Sequence, residues 1–222
     1  MKVVEKFISI NGEGKRAGEL AVFIRFKGCN LRCSYCDTLW ALEPDCPFTE
    51  ESPKEITEYI FNSGIKNITL TGGEPLVQPE IKHLINSILN SDDKLRLEIE
   101  TNGAVFIKDF RPPKTSNFTF TIDYKLPSSG CEESMKIENF EYLTENDSVK
   151  FVAGSLKDLN RAKYIIDNYK LLEQGITVFI SPVFGKIVLS QIVSFMKDNR
   201  LNDIKMQLQM HKVIWHPSAR GV

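Results

Sequence analysis

Three cysteines stand close together near the amino terminus, at a C-x3-C-x2-C spacing: Cys29, Cys33 and Cys36. A closed structural zinc or iron-sulfur site normally takes four protein ligands. Three thiolates therefore suit an iron-sulfur cube in which one iron keeps an open coordination position. A small molecule that carries an amine and a carboxylate can chelate that iron, so the spacing indicates an enzyme.

The alternative for these thiolates is a zinc knuckle that a histidine completes. The chain has three histidines, His83, His211 and His216. Zinc knuckles usually pair two short Cys/His clusters, and no second cluster lies near the first. His83 is expected on the polar face of a helix, whereas His211 and His216 lie near the chain end, too far along for a local knuckle.

Two further polar motifs follow apolar, strand-like stretches. Thr71-Gly72-Gly73-Glu74-Pro75 has two glycines that would let the backbone approach a ligand, and a proline suited to starting a helix. Glu98-Ile99-Glu100-Thr101-Asn102-Gly103 ends another strand with acidic and polar side chains. Taken alone, the first motif is an ordinary glycine turn and the second is a strand end and a turn.

Length and charge restrict the class of protein. The 222 residues suffice for one sizeable core, so one domain covering residues 1–222 is expected. The 28 basic and 29 acidic side chains nearly cancel, which argues against a nucleic-acid or membrane-surface partner. The start of the chain lacks a signal-peptide core, so a cytoplasmic protein is expected. Cys46 and Cys131 are interpreted as plain structural thiols.

Strand and helix patterns alternate along the chain. Four helical patterns are expected: one behind the capping box of Ser52, one from Ile81 to Leu89, one opening at Ser155, and one from Ile187 to Asn199. The extended segments are Ala21 to Phe26, Asn67 to Leu70, Leu95 to Glu100, Phe118 to Tyr124, Val149 to Val152, Ile176 to Ile180 and Lys205 to Gln209.

This alternation predicts an α/β fold with parallel strands and outer helices, curled into a partial, open TIM-like barrel. A complete eightfold barrel typically needs about 250 residues. A doubly wound open sheet is the structural alternative. In either fold the chemistry lies at the carboxyl ends of the strands, which is where the cysteine loop and both polar motifs fall.

The cysteine spacing together with the GGEP motif resembles the signature of the radical S-adenosylmethionine superfamily. The resemblance implies the radical SAM core fold and a 4Fe-4S cluster on the three cysteines, with S-adenosylmethionine at the fourth site as the source of a 5'-deoxyadenosyl radical. It implies that the cofactor-binding residues are Tyr35, Cys36, Asp37, Gly72, Gly73, Glu74, Glu100, Thr101, Asn102, Asp123, Tyr124, Lys125, Ser181, Pro182, Val183 and Phe184.

A narrower resemblance rests on both ends of the chain and covers nearly its full length. The segments Ser9 to Gly14, Cys36-Asp37-Thr38 and His211 to Val222, together with Arg25 and Glu100 to Gly103, are similar to the 7-carboxy-7-deazaguanine synthase family. That family converts 6-carboxy-5,6,7,8-tetrahydropterin into 7-carboxy-7-deazaguanine with loss of ammonia, on the route to queuosine. The resemblance implies a radical ring contraction in which S-adenosylmethionine is regenerated.

The narrower resemblance also implies a substrate site and a magnesium ion. Thr38 matches a magnesium ligand, and a hydroxyl oxygen suits a hard cation that keeps water and substrate oxygens. Arg25 matches a carboxylate-binding arginine, because a planar guanidinium can hold a carboxylate through two bonds; its alternative is an ion pair on the strand face. The implied substrate-binding residues are Ile10, Asn11, Gly12, Arg25, Thr71, His211 and Pro217.

The sequence departs from the family pattern in three places. The family often has Ser-Pro-Lys where Asp123-Tyr124-Lys125 stands, and a Gln-Pro-containing loop where Ser181-Pro182-Val183-Phe184 stands, although Lys125 and Pro182 are retained. Five residues follow Pro217, which the family has at its carboxy-terminal substrate contact. The segment from Ser128 to Asn146 is rich in charge, lacks clear periodicity and has no assigned role.

Two other functions remain open from the sequence. A glycyl-radical-enzyme activase shares the cysteine spacing, but it has no need for the GEG segment, Arg25 or a metal-binding Thr38. A noncatalytic zinc or iron-sulfur module that binds a protein partner is the second. For the synthase, the expected partners are the small-molecule substrate, a flavodoxin or ferredoxin as electron donor, and a second copy of the chain in a homodimer.

Overall fold

The computed structural model describes residues 1–113 and 116–222, and these residues form a nine-stranded sheet. Its strands are β1 (Lys2–Ile10), β2 (Leu20–Phe26), β3 (Thr49–Glu50), β4 (Asn67–Gly72), β5 (Arg96–Thr101), β6 (Phe118–Tyr124), β7 (Ser148–Ala153), β8 (Thr177–Pro182) and β9 (Ile204–Met206). Neighbours in the sheet follow the order β3-β1-β2-β4-β5-β6-β7-β8-β9.

From β2 to β9 every neighbouring pair of strands is parallel, whereas β1 is antiparallel to both β2 and β3. The order of the parallel strands, from β2 to β9, advances in one direction and never reverses, so the doubly wound alternative is wrong. β3 and β9 are the two edges of the described sheet and do not pair with each other. The predicted open, partial barrel is therefore confirmed.

Helices α1 (Pro53–Ser63), α2 (Ile81–Ser91), α3 (Leu156–Asn168) and α4 (Leu189–Asp198) connect successive parallel strands, and a short α5 (His211–Ile214) follows β9. The predicted capping box at the start of α1 is present: the Ser52 side chain accepts from the Glu55 backbone N–H, and the Glu55 carboxylate accepts from the Ser52 backbone. Ser155 caps α3 in a similar way, by accepting from Asp158. Local sequence thus sets these helix starts.

The structure adds two strands that the sequence patterns did not indicate, and it redefines two other segments. Sequence patterning missed β1, because its side chains are mostly half-buried and its charged and apolar residues do not alternate regularly. It also missed the two-residue β3. β9 is shorter than the predicted strand from Lys205 to Gln209. Between Ser128 and Asn146 the chain forms short 3-10 turns between β6 and β7 rather than an α-helix.

One cluster of buried side chains joins the sheet to the helices. Its largest fully buried members include Phe26, Phe118, Phe120 and Phe151, which lie on β2, β6 and β7. Burial of this apolar surface holds the parallel strands in register. That register brings the carboxyl ends of β2, β4, β5, β6 and β7 to the same edge of the sheet.

Candidate active site

A cavity of about 260 Å³ opens at the carboxyl ends of the parallel strands. Cys29, Cys33 and Cys36, on the loop after β2, all line it together with residues from several strands and from both chain ends. All five cysteines of the chain are free thiols. The cysteine loop and the main cavity are therefore one site.

The cavity brings together most of the site residues that the sequence indicated. Those that line it are Ile10, Asn11, Gly12, Arg25, Cys29, Cys33, Tyr35, Cys36, Asp37, Thr38, Thr71, Gly72, Gly73, Glu100, Thr101, Asn102, Asp123, Lys125, Val183, Phe184, His211 and Pro217. Four others lie outside its wall: Glu74, Tyr124, Ser181 and Pro182. Tyr124 and Ser181 are buried, and Tyr124 belongs to the core.

The glycine pair after β4 packs directly against the start of the cysteine loop. The Gly73 N–H donates to the Phe26 carbonyl at 3.0 Å, and the Glu74 N–H donates to the Gly28 carbonyl at 2.9 Å. A Cβ atom on Gly73 would lie 1.7 Å from the Gly28 carbonyl oxygen, and one on Gly72 would lie 2.3 Å from the Phe26 nitrogen. Only glycine allows this close approach of two backbones.

Glu74 joins two of the loops that form the cavity. It is completely buried, and its carboxylate accepts from the Leu76 N–H at 3.0 Å, the Thr101 hydroxyl at 2.8 Å and the Asn102 N–H at 2.7 Å. Burial raises the pKa of Glu74 to about 7, and these donors oppose the shift. Glu74 therefore positions the Thr101-Asn102 turn rather than facing the cavity.

Donors already surround the cysteine thiols. Cys29 Sγ accepts from the Leu31 N–H at 3.3 Å and from Asn102 Nδ2 at 3.4 Å, while Cys36 Sγ lies 3.5 Å from Thr38 Oγ1. Burial raises the pKa of Cys33, so a free thiolate is disfavoured there. A bound metal cation reverses that preference, because the thiolate is the form that ligates.

The described residues contain no group of three or more His, Cys, Asp or Glu side chains arranged to hold a single ion. In a cubane cluster each cysteine binds a different iron, so its ligands stand farther apart than those of one ion. The three thiols line one cavity without forming such a single-ion group among the described residues. His83 is exposed on α2 and far along the chain from the thiols, which removes one donor of the zinc alternative.

Three cavity residues carry a buried polar atom that has no hydrogen-bond partner in the described chain: Asn11 Nδ2, Glu13 Oε1 and Asp123 Oδ1. Buried polar groups in proteins are nearly always paired. The donor and the two acceptors therefore fit a ligand that offers both kinds of group, as a pterin and the hydroxyls of an adenosyl group do.

The residues indicated for substrate binding are held by their neighbours. Asn11 Oδ1 accepts from the Thr69 hydroxyl at 3.0 Å, which aims the amide, and the Thr71 hydroxyl donates to Glu100 Oε2 at 2.9 Å. Gly12 packs on His211, since a Cβ there would lie 2.5 Å from His211 Nδ1. Burial lowers the pKa of His211, so its imidazole is neutral at neutral pH.

Arg25 takes part in an ion pair as well as lining the cavity. Its Nε donates to Glu5 Oε2 at 3.0 Å, and both side chains are 17% exposed. Among residues 1–113 and 116–222 no side chain or backbone group hydrogen-bonds to the terminal nitrogens of Arg25, although the guanidinium also lies 6.0 Å from the centre of the Phe7 ring. The ion pair fixes the orientation of the guanidinium and leaves its terminal fork for a planar anion.

The carboxy-terminal segment closes one side of the cavity. The Met210 N–H donates to the Gly12 carbonyl at 3.1 Å, and Lys212 Nζ lies 3.2 Å from Asp37 Oδ2. Arg220 lies over the Trp40 ring, 4.1 Å from its centre. This segment thus connects the β1–β2 loop to the cysteine loop.

Sequence reasoning missed several polar residues of the cavity, among them Glu13, Lys150 and Gln209. Gln209 Nε2 donates to Glu13 Oε2 at 3.2 Å, and Lys150 Nζ lies 3.3 Å from the same oxygen. Lys150 left a signal in the sequence, because a lysine inside the apolar run from Val149 to Val152 is unusual. The other two had no such signal.

The chain is similar to known proteins over its whole length. A family model described as the radical SAM superfamily matches residues 23–146. The chain is 54% identical to the 7-carboxy-7-deazaguanine synthase of Clostridium acetobutylicum, covering 100% of this chain and 99% of that protein. It is 34% identical to the 7-carboxy-7-deazaguanine synthase of Methanospirillum hungatei, covering 98% of this chain and 86% of that protein.

A solved structure shares the fold. The crystal structure of QueE from Escherichia coli matches with a TM-score of 0.70, covering 95% of this chain and 94% of that one. The sequence identity of this pair is 19%, so the match is evidence for the architecture. The match includes nearly the whole chain and not the parallel sheet alone.

Proposed function

The chain belongs to the radical S-adenosylmethionine superfamily and, within it, to the 7-carboxy-7-deazaguanine synthase family, and we propose that it catalyses that family's reaction. The reaction converts 6-carboxy-5,6,7,8-tetrahydropterin into 7-carboxy-7-deazaguanine with loss of ammonia. The supporting observation is the 54% identity over the full length, which includes the chain ends that line the cavity. The product is a precursor of queuosine and related deazapurines.

Membership of this superfamily implies a 4Fe-4S cluster and S-adenosylmethionine as cofactors. When bound, they together supply the carbon radical that takes a hydrogen atom from the substrate. We assign Cys29, Cys33 and Cys36 as the ligands of the cluster, because all three line the cavity. The buried thiol of Cys33 would be stabilised as a thiolate by the cluster's positive iron atoms.

We assign the glycine pair and the β5 turn to the cofactor. Gly72 and Gly73 expose backbone groups at the cavity wall, next to the cysteine loop. Thr101 and Asn102 are held beside them by Glu74, so this residue acts through its neighbours. Ser181 and Pro182 would act in a similar, indirect way by ending β8 before Val183 and Phe184, which do line the cavity.

Substrate recognition is assigned to residues from both chain ends. Arg25 would bind the substrate carboxylate through its terminal nitrogens, since Glu5 already holds Nε. The unpartnered amide nitrogen of Asn11 would donate to an acceptor on the pterin edge. Thr71 and the neutral His211 would complete the site, with Pro217 near its mouth. These groups fix the ring and exclude water from it.

We further propose that Mg²⁺ binds between Thr38 and the substrate. Because the described residues offer no acidic cluster for a single ion, most ligands of Mg²⁺ would be water and substrate oxygens. Mg²⁺ commonly keeps several waters and binds few protein groups. Thr38→Val should then raise the Mg²⁺ concentration that gives half-maximal activity, whereas Thr38→Ser should not.

The remaining proposals concern organisation and partners. We infer a single domain over residues 1–222, because one hydrophobic cluster joins the sheet to the helices. We propose a homodimer, a flavodoxin or ferredoxin as electron donor, and a cytoplasmic location. No helix among the described residues has the length and apolar character required to span a bilayer.

The decisive experiment is anaerobic incubation with reductant, S-adenosylmethionine, Mg²⁺ and the carboxylated tetrahydropterin, followed by mass analysis. We expect 7-carboxy-7-deazaguanine to form. Cys33→Ala should abolish S-adenosylmethionine cleavage and product formation. Absence of the product with wild-type protein that contains a full cluster would overturn the proposed reaction.

A second measurement tests the carboxylate site. Arg25→Met should raise the substrate dissociation constant by about 10- to 100-fold, since hydrogen bonds to charged groups contribute about 1.5–3 kcal/mol. Arg96→Met, on the same sheet but exposed, is the control. An unchanged substrate affinity in Arg25→Met, with normal iron content, would refute the assignment.

A further inference from the structure

A lysine lies in the middle of a strand that is otherwise closed to solvent. All six residues of β7, from Ser148 to Ala153, are buried, and Lys150 is only 7% exposed. A buried ammonium group is strongly unfavourable unless opposite charges pair with it. The position of Lys150 therefore needs an explanation beyond packing.

Lys150 is held between two carboxylates. Its Nζ lies 3.3 Å from Glu13 Oε2 and 3.7 Å from Asp123 Oδ2. Gln209 also donates to Glu13, and Lys125 also pairs with Asp123 at 2.9 Å. Within residues 1–113 and 116–222, Lys150 is the one cation that pairs with both carboxylates.

These two carboxylates come from different segments of the cavity lining. Glu13 follows the Ile10–Gly12 segment, which we assign to the substrate, whereas Asp123 lies near the end of β6, which we assign to the cofactor. The second oxygen of each, Glu13 Oε1 and Asp123 Oδ1, is buried and lacks a partner. Each carboxylate thus uses one oxygen on Lys150 and presents another to a ligand.

The charge of Lys150 is fixed. Burial by itself would lower its pKa, but Glu13 and Asp123 raise the pKa of Lys150 well above its ordinary value. The side chain therefore stays protonated at neutral pH and cannot serve as a general base. The contribution of Lys150 to the site is therefore structural: it links Glu13 to Asp123.

We propose that Lys150 is a positioning residue that couples substrate binding to S-adenosylmethionine binding by holding Glu13 and Asp123 in register. The proposal rests on the proposed function for the identity of the two ligands. A ligand that bonds to one carboxylate orders the ammonium, and the ammonium orders the other carboxylate. The second ligand then meets a site that is already arranged.

Removal of the ammonium would leave two partly buried carboxylates, with Glu13 lacking a cation partner among the described residues and Asp123 paired with Lys125 alone. They would shift or take up protons, and the reacting groups would lose alignment. A misplacement of about 1 Å can cost about 100-fold in rate. In Lys150→Met, product formation should therefore fall by about this factor, while deoxyadenosine released per product should rise.

The test uses anaerobic protein with a full cluster and measures the S-adenosylmethionine dissociation constant with and without the carboxylated tetrahydropterin. In wild type the ratio of the two constants should lie between about 5 and 150, the usual range of such coupling. In Lys150→Met the ratio should fall to about 1. Lys150→Arg should retain the coupling, because it retains the charge. Lys157→Met, an exposed lysine on α3, is the matched control.

A second variant distinguishes a loss of coupling from a loss of stability. Lys150→Met with Glu13→Gln removes the unpaired charge of Glu13, so thermal stability should recover toward that of wild type while the coupling stays lost. A purely structural lysine would give the opposite result, since coupling would return with stability. A coupling ratio in Lys150→Met that equals the wild-type ratio would also overturn the proposal.

The outcomes separate this inference from the proposed function. If wild type shows coupled binding but forms no deazaguanine product, only the proposed reaction fails. If wild type forms the product and the coupling survives in Lys150→Met, only the role of Lys150 fails. If wild type does not bind the pterin, or binds both ligands without coupling, the Lys150 proposal is overturned directly.

Discussion

Glu98 gives the fold a pH dependence that one substitution should remove. It lies on β5 and is 3% exposed, its Oε1 accepts from the Thr121 hydroxyl at 2.5 Å, and Arg16 lies 3.8 Å from Oε2. Burial, reinforced by the nearby carboxylate of Glu100, raises the pKa of Glu98 to about 7. In the unfolded chain the pKa is the ordinary value of 4.5.

The sign follows from proton binding. Between about pH 4.5 and 7 the folded state binds the Glu98 proton more tightly than the unfolded state does, so stability falls as pH rises through this range. A shift from 4.5 to about 7 corresponds to roughly 3 kcal/mol. In Glu98→Gln this contribution is absent, and the amide oxygen can still accept from Thr121.

The assay is urea unfolding under anaerobic conditions at several pH values from 4.5 to 8. The free energy of unfolding of Glu98→Gln minus that of wild type should increase by about 3 kcal/mol across this range. Glu80→Gln, an exposed glutamate before α2, should give a flat difference. A difference for Glu98→Gln that stays constant within about 0.5 kcal/mol would refute the reasoning.

Three further substitutions probe the loops around the cavity. Glu74→Ala leaves the Leu76 and Asn102 N–H groups without an acceptor, so the free energy of unfolding should fall by roughly 3–5 kcal/mol in urea titrations. Gly73→Ala drives a methyl into the Gly28 carbonyl, so iron and sulfide per chain should fall by at least about half in chemical analysis. Asn11→Leu removes a buried unpartnered donor but also the acceptor of the buried Thr69 hydroxyl, so the free energy of unfolding of the ligand-free protein should fall by about 1–3 kcal/mol, while substrate affinity measured by titration should fall at least about tenfold.

The features that could be predicted from the sequence are those that depend on short segments of the chain. The cysteine spacing and the GGEP motif each lie within a few positions of the chain, so their chemistry could be inferred without knowing the fold. The capping box at Ser52 and the Ser155 cap were likewise local, and both helices begin where these residues indicated. The carboxyl ends of parallel strands then placed these motifs at one edge.

Contacts between distant residues could not be inferred in the same way. Glu13, Lys150 and Gln209 meet because β7 is an inner strand of the sheet and the segment after β9 returns to the β1–β2 loop. The residues next to Glu13 and Gln209 in the sequence do not indicate that these two side chains contact each other. β1 was missed for a related reason, since a half-buried antiparallel strand lacks the continuous apolar run by which the parallel strands were found.

The superfamily match covers the part of the chain that carries most residues assigned to the cofactor, and it leaves out most residues assigned to the substrate. The superfamily match covers residues 23–146, which carry the cysteine loop, the glycine pair and the β5 turn. The residues assigned to the substrate come largely from outside or near the edge of that range, at the two chain ends. Those ends bond to each other, through Met210 to Gly12 and Gln207 to Gly14. The chain ends therefore form a part of the cavity lining that falls largely outside the superfamily match.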